Sequence, residues 1–281
     1  AFNTPVAAVI FALEELIGDL NAPLIGSTVV ASVAAVMVER SILGNEPLFH
    51  VPTYQLVHPA ELAVYAALGV LGGVLSLTFS KILLAVRRRT LALSPLRRMF
   101  LPAVGGAIIG GLIIAVPEVT SVGYEHIGRA LNGSLLLPTL LLLCGAKLVA
   151  TIVSYTTGNA GGIFAPSLYL GAMAGGAVGS VAHLVAPFPT ADAGAYALVG
   201  MGALFAGIIR APMTSVFMIF EITQDYQILV PLMVANLLSY VISRRYQPLP
   251  IYHALLEQDG VRLPPVEPVD GADAWTAADA M

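Results

Sequence analysis

Apolar residues fill most of the chain in long blocks that short polar stretches interrupt. A helix needs about 20 mainly apolar residues to cross a bilayer core. Five blocks predict long spans: 25–38, 60–84, 100–116, 135–154 and 228–242. Shorter pieces with internal Gly or Pro lie between them: 2–18, 163–183, 193–209 and 212–222. Because irregular backbone at membrane depth must be buried in protein or line a polar cavity, these broken helices predict a site inside the protein.

The composition supports a membrane location. Hydrophobic residues make up 57% of the chain and charged residues 11%, and the mean hydropathy is +0.85. A soluble domain has roughly a quarter of its residues charged. The sequence therefore predicts an all-α, multi-pass protein that lies in a lipid bilayer. A basic face suited to nucleic acid is not expected.

The basic residues predict how the spans are oriented. Six of the thirteen Lys and Arg residues crowd one connection: Lys81, Arg87, Arg88, Arg89, Arg97 and Arg98. Arg244 and Arg245 follow the last long block, whereas the loop at 44–61 has no Lys or Arg. Since cytoplasmic loops are rich in Lys and Arg, both basic places are expected in the cytoplasm, beneath a cell inner or plasma membrane. Residues 1–258 are predicted to form the membrane domain, and residues 259–281 a cytoplasmic linker or tail.

Two of the short segments resemble each other. "NTPVAAVIFALEE" and "RAPMTSVFMIFEI" match in three pairs: Pro5 with Pro212, Val9 with Val216, and Glu14 with Glu221. Transporters are commonly built from inverted repeats whose broken helices meet near the membrane midplane. The match predicts such a repeat, with one nearly complete half and the end of the other in this chain. The shared pattern of short membrane helices, with Pro near the start and an apolar middle, is an alternative explanation.

A glycine-rich turn precedes one of the short pieces, in "TTGNAGGIFAP". A helix that begins after such a turn presents N–H groups and the positive end of its dipole, which together favour an anion. The candidate site comprises the glycines of the turn and the first amides of the helix: Gly158, Gly161, Gly162, Ile163, Phe164 and Ala165. The alternative is that the glycines serve close helix packing.

Four stretches carry a resemblance to a known family: "AFNTPVAAVIFALEEL", "SYTTGNAGGIFAPSLYLGA", "LVGMGALFAGIIRAPMTSVFMIFEITQDYQILVPLM" and "QPLPIYHALLEQ". In this order, over residues 1 to about 258, they resemble the CLC family of chloride channels and proton-coupled chloride antiporters. The GGxFxP motif of that family is specific, and it occurs here at Gly161, Gly162, Phe164 and Pro166.

The resemblance implies a fold and a function. Subunits of that family consist of two inverted halves, and two subunits form a homodimer with one anion pathway in each. The amides of Ile163 and Phe164 are then expected to contact chloride. Tyr252, in "PIYHALL", is expected to donate its hydroxyl to the central chloride, and Glu15 to transfer protons. The implied function is chloride transport, as proton-coupled antiport.

Two motifs of that family do not occur in this sequence. These are GSGIP, with its ion-binding serine, and GREGP, with its external gating glutamate. The chain also starts without Met or a basic leader region, in "AFNTPVAAVIF". We therefore expect a segment that begins mid-protein, corresponding to the C-terminal portion of the family's membrane domain.

Other interpretations of these residues remain open at the level of sequence. Tyr252 could be an interfacial anchor, and Glu14, Glu15 and Glu221 could be structural. Lys147, inside an apolar block, is expected to pair with one of these glutamates. The chain could accordingly belong to a passive chloride channel, or to a structural or regulatory segment without an ion pathway.

Enzymatic chemistry has little support in the sequence. The five His residues lack the spacing of metal ligands, and Ser154 and Ser167 have no His and Asp placed as triad partners. We expect no catalytic residue, metal or cofactor. The single cysteine, Cys144, lies in an apolar block and is expected to be a small buried residue.

Overall fold

The computed structural model describes residues 3–17, 22–44, 48–49, 51–52, 54 and 56–261. In chain order, its α-helices are α1 (Pro5–Phe11), α2 (Ala22–Leu43), α3 (Glu61–Leu91), α4 (Pro95–Ala115), α5 (Tyr124–Leu131), α6 (Leu137–Thr156), α7 (Phe164–Val185), α8 (Ala193–Ile209), α9 (Pro212–Thr223), α10 (Leu229–Tyr246) and α11 (Ile251–Gln258). A π-helical turn, Ala12–Ile17, continues α1, and a 3-10 turn, Pro117–Val119, follows α4. The described chain is thus all-α. Most of the predicted tail at 259–281 lies outside the described residues.

Five described helices are long and apolar enough to cross a membrane: Ile25–Ile42, Glu61–Leu91, Pro95–Ala115, Leu137–Thr156 and Phe164–Val185. Four of them occupy the blocks predicted as spans at 25–38, 60–84, 100–116 and 135–154. Each of these helices extends beyond its predicted block at one end or at both. The chain is an integral membrane protein.

The prediction of a short, broken piece at 163–183 was wrong. The segment forms α7, one continuous helix of 22 residues. Its glycines do not break the helix, because they lie against a neighbouring helix and allow it to approach. The block at 228–242 forms α10, an 18-residue helix that ends in Arg244 and Arg245. These arginines and the buried Asn236 make α10 more polar than the five spans.

Helix α8 lies at the centre of the bundle and packs against α3, α7, α9 and α10. All its residues from Gly194 to Ile209 are buried. On its contact with α7, a Cβ at Gly200 would lie 2.5 Å from the carbonyl oxygen of Gly171, which is closer than packed atoms approach. Small residues at such crossings let two helix backbones touch. The glycines of α7 and α8 therefore fix a tight pair of helices.

Helices α1 and α9 contact each other through a reciprocal pair of carboxylates. Glu221, near the end of α9, accepts hydrogen bonds from the N–H groups of Val6 at 3.0 Å and Ala7 at 2.8 Å, at the start of α1. Glu14, just after α1, accepts one from the N–H of Thr214 at 2.8 Å and another from the preceding N–H at 3.1 Å, at the start of α9. The two helices are therefore antiparallel, and each carboxylate caps the other helix. The residues that match in the sequence repeat thus occupy equivalent places in the fold.

Replacing either capping glutamate should destabilise the protein by a similar amount. Glu14→Gln and Glu221→Gln each remove a negative charge from a helix N-terminus, and we expect each to lower stability by about 1 kcal/mol. The measurement is thermal unfolding of the complete protein in detergent. Glu257→Gln, at an exposed position of α11, is the matched control. Melting temperatures equal to that of the control would contradict the capping role.

Candidate functional site

The glycine-rich turn between α6 and α7 first ends one helix and then begins the next. The N–H of Thr157 donates to the carbonyl of Val153 at 3.1 Å, and the N–H of Asn159 donates to that of Ser154 at 3.2 Å. Gly158 lies between them with a φ of +84°. This is the Schellman pattern, in which a left-handed residue closes a helix. Gly158 therefore terminates α6, and it does not line the cavity described next.

Helix α7 begins at the edge of a cavity of about 610 Å³. Part of its lining comes from the turn and the first residues of the helix: Gly161, Gly162, Phe164, Ala165 and Pro166. A Cβ on Gly162 would meet no described atom within 4 Å, so the backbone there is open to approach. Ile163, its N-cap residue, has an apolar side chain and makes no capping hydrogen bond of its own. The first turn of α7 therefore directs the positive end of the helix dipole toward an open, partly polar space.

Neighbouring helices hold the start of α7 in place. Ile163 is only 1% exposed. The ring of Phe164 packs edge-on against Phe11 of α1, with ring centroids 5.6 Å apart, and against Phe205 of α8, with centroids 4.7 Å apart. These contacts join the α7 terminus to α1 and α8 and hold the first turn of α7 in place.

Tyr252 is the second residue of α11 and lies partly buried against the hydrophobic core. Burial, followed by the charges of Glu15 and Tyr155, raises the pKa of the Tyr252 hydroxyl to about 12. The hydroxyl is therefore neutral at physiological pH and able to donate a hydrogen bond. Tyr252 is not among the residues that line the 610 Å³ cavity. The structure instead brings it near Glu15.

Glu15 lies in the π-helical turn, outside the five spans, and differs sharply from the adjacent Glu14. Glu14 is engaged by the α9 terminus, whereas Oε1 of Glu15 is buried and has no hydrogen-bond partner among the described residues. Burial raises the pKa of the Glu15 carboxyl to about 8; the charge of Glu14 adds to this effect and that of Arg210 opposes it. The carboxyl is thus mostly protonated at neutral pH, and a modest change in its surroundings can release the proton.

The prediction that Lys147 pairs with a glutamate was wrong. Its Nζ donates to the carbonyl oxygens of Val119 at 3.0 Å and Ser121 at 2.5 Å, and it lies 4.9 Å from the centroid of the Tyr169 ring. Backbone carbonyls and an aromatic face therefore hold this buried cation. Lys147 also lines the cavity in front of α7.

Two buried charged residues were not singled out in the sequence. Arg210 is 9% exposed and hydrogen-bonds the end of α10. Glu61 is fully buried at the start of α3, where it accepts hydrogen bonds from the N–H of Ala191 at 2.6 Å and the hydroxyl of Tyr196 at 2.7 Å. A charged residue directly beside an apolar block is the signal that could have identified both.

Known proteins match this chain over most of its length. A family described as "Voltage gated chloride channel" matches residues 1–244. The H(+)/Cl(-) exchange transporter ClcA of Vibrio campbellii is 32% identical over 263 residues, covering 92% of this chain and 56% of the relative. A putative chloride channel protein, ClcB-like, of Ralstonia nicotianae is 33% identical over 271 residues, covering 94% of this chain and 62% of the relative.

The fold also matches solved structures. The crystal structure of a slow cyanobacterial Cl-/H+ antiporter superposes with a TM-score of 0.83 at 30% identity, over 92% of this chain and 61% of that protein. This chain thus spans a little over half the length of the proteins that it matches. With the family match over residues 1–244 and the shared helical architecture, the chain belongs to the CLC family of voltage-gated chloride channels and transporters.

Proposed function

We propose that this chain contributes the chloride-binding and internal proton-transfer elements of a proton-coupled chloride antiporter. The observation that carries the proposal is the start of α7, which follows a glycine turn and lies at the edge of a cavity. The names of the Vibrio and cyanobacterial relatives support exchange of chloride for protons. The role is transport and requires no catalytic residue.

The anion is bound by backbone polarity and one hydroxyl. The amides of Ile163, Phe164 and Ala165 point the positive end of α7 at the ion, and the turn at Gly161 and Gly162 leaves room for it. Tyr252 adds a neutral donor from α11. A site of dipoles suits a transported ion, because it stabilises the anion without a fixed full charge that would retain it.

Glu15 carries the proton. Burial raises the pKa of its carboxyl to about 8, so the group can gain or lose a proton near neutral pH. Its Oε1 has no hydrogen-bond partner among the described residues that would favour the protonated or the ionised form. Glu14 is already engaged as a helix cap and is unsuited to this task. The two adjacent glutamates therefore divide into a structural residue and a proton carrier.

The bilayer is the plasma or inner membrane, with the C-terminus in the cytoplasm. Arg87, at the end of α3, donates to the carbonyl of Leu255 at 3.2 Å and pairs with Asp259 at 2.7 Å. The basic end of α3 and helix α11 are therefore on the same side. By the positive-inside rule this side is cytoplasmic, and so is the mouth of the pathway near Tyr252.

Bromide should mark the anion site in crystals of the complete protein. Because bromide replaces chloride and scatters anomalously, we expect a peak within hydrogen-bond distance of the Ile163 and Phe164 amides and the Tyr252 hydroxyl. Tyr252→Phe should weaken binding about tenfold or more, as expected for a lost hydrogen bond to a charge. Tyr155→Phe removes a nearby hydroxyl and should leave the peak intact. A well-ordered crystal with bromide only elsewhere would overturn the assignment.

Glu15→Gln should separate the two fluxes. Glutamine keeps the shape of the side chain but carries no proton, so we expect proton movement to stop while substantial chloride flux continues. Liposomes that contain the complete protein allow both ions to be recorded together. Glu14→Gln is the matched control. If this variant lowers the amount of folded protein, its proton and chloride fluxes should fall by the same factor. Persistent proton transport in Glu15→Gln would rule out this residue as the carrier, and no proton movement in the unmodified protein would indicate a passive channel.

The complete protein is a homodimer that associates through α2 and α10, together with α1 and α9. The span Ile25–Ile42 in α2 has no buried residue, and α10 exposes an apolar face at Val230, Met233, Leu237 and Val241. These positions recur every three or four residues, as expected for one face of a helix. Such a face can bury against its own copy in an isologous contact.

Cysteine cross-linking in membranes tests this interface. In a Cys144→Ala background, cysteines at Val230, Leu237 or Val241 should give covalent dimers with a short bifunctional maleimide, because residues near a two-fold axis approach their own copies. A cysteine at Leu142, which is exposed on α6, is the control and should stay monomeric. Monomer at all three α10 positions would contradict the interface.

A further inference from the structure

Arg210 occupies the corner between α8 and α9 in an unusual conformation. Its φ is +73°, which is uncommon for a residue other than glycine, and its side chain turns back into the protein. Nη2 donates to the carbonyl of Ser243 at 2.9 Å and to that of Gln247, while Nε donates to the Ser243 hydroxyl at 3.3 Å. The guanidinium thus binds the last turn of α10.

This contact adds a cationic donor to the carbonyls at the end of α10, one of which, that of Ser243, also accepts from the N–H of Gln247 at 3.0 Å. The final carbonyls of a helix have no intrahelical donor, and a cation is favourable at the negative end of the dipole. The Ser243 hydroxyl in turn donates to the carbonyl of Gly207 at 2.7 Å, near the end of α8. Two polar links therefore tie the α8–α9 corner to the end of α10.

The corner lies between the two functional elements. On one side, α9 begins two residues after Arg210, and its first amides bind Glu14, the neighbour of Glu15 in the chain. The charge of Arg210 also opposes the rise that burial causes in the pKa of the Glu15 carboxyl. On the other side, Gln247 ends α10, and α11 starts four residues later with Tyr252 as its second residue. One side chain thus connects the surroundings of the proton carrier with the segment that leads to the chloride donor.

We propose that Arg210 is a positioning residue that couples proton transfer at Glu15 to chloride binding at Tyr252. The inference rests on the antiport function proposed above. The guanidinium holds the end of α10 against the α8–α9 corner. A displacement of α11 when chloride binds would therefore also displace the residues around Glu15. Without it, the two sites keep their own binding groups but lose the rigid connection between them.

The test measures proton and chloride fluxes of the complete protein in liposomes. Arg210→Gln should lower the number of protons moved per chloride roughly twofold or more, the size of effect typical when a residue that links two sites is removed. Chloride flux should persist, because the amides of α7 and the Tyr252 hydroxyl are unchanged. Arg210→Lys should partly restore the ratio, since an ammonium keeps the charge but lacks the forked donors that reach two carbonyls.

Arg244→Gln is the matched control. It removes the same charge one residue after Ser243, from an exposed side chain that contacts Tyr240 of its own helix, and it should leave the ratio unchanged. If Arg210→Gln and Arg210→Lys both keep the normal ratio, or if their two fluxes fall in proportion, the coupling role is overturned and Arg210 is only structural. If Arg210→Gln folds poorly, the ratio measured for Arg210→Lys alone tests the proposal. Failure of the unmodified protein to exchange the two ions would instead refute the proposed antiport itself.

Discussion

Every backbone N–H and C=O group at membrane depth needs a partner inside the protein, because hydrocarbon supplies none. This constraint explains where the buried and half-buried charges of the described residues lie. Glu14 and Glu221 accept from helix N-termini, Arg210 donates to the end of a helix, and Lys147 donates to the carbonyls of a loop. The start of α7 differs, because it follows a glycine turn and a cavity lies before it.

Much of the fold could be predicted because hydropathy over about 20 residues directly reports the thickness of the bilayer. The prediction is wrong for α7, because glycine in a water-exposed helix weakens it but has another role here. Between packed membrane helices, glycine instead allows close approach, and Gly171 and Gly200 can be recognised in this role only once α8 is seen beside α7. The polar residues of α10 are tolerated in the bundle for the same reason. Asn236 is buried by neighbouring helices that cannot be identified from the sequence of α10 alone.

The candidate site was predictable to the extent that its signals are local. The turn at Gly161 and Gly162 precedes a helix start and lines the cavity, and the matching offsets of Glu14 and Glu221 indicated a repeat before any contact was known. Partners distant in sequence left no such signal. Lys147 was expected to meet a carboxylate but binds carbonyls, which every residue possesses. The contact of Arg210 with the end of α10 likewise joins segments more than 30 residues apart.

The reciprocal caps of α1 and α9 bear on how such a fold could arise. When two copies of one segment pack around a two-fold axis, a single substitution that places a glutamate at the right offset creates the contact twice. Both helices then gain a cap at once, and neither is left with an uncompensated buried carboxylate. Duplication and fusion of the segment would carry both contacts into one chain, after which loss of either glutamate costs only half of what was gained. Symmetry would therefore make this pair of contacts easy to acquire, and the equivalent offsets of Glu14 and Glu221 fit such an origin.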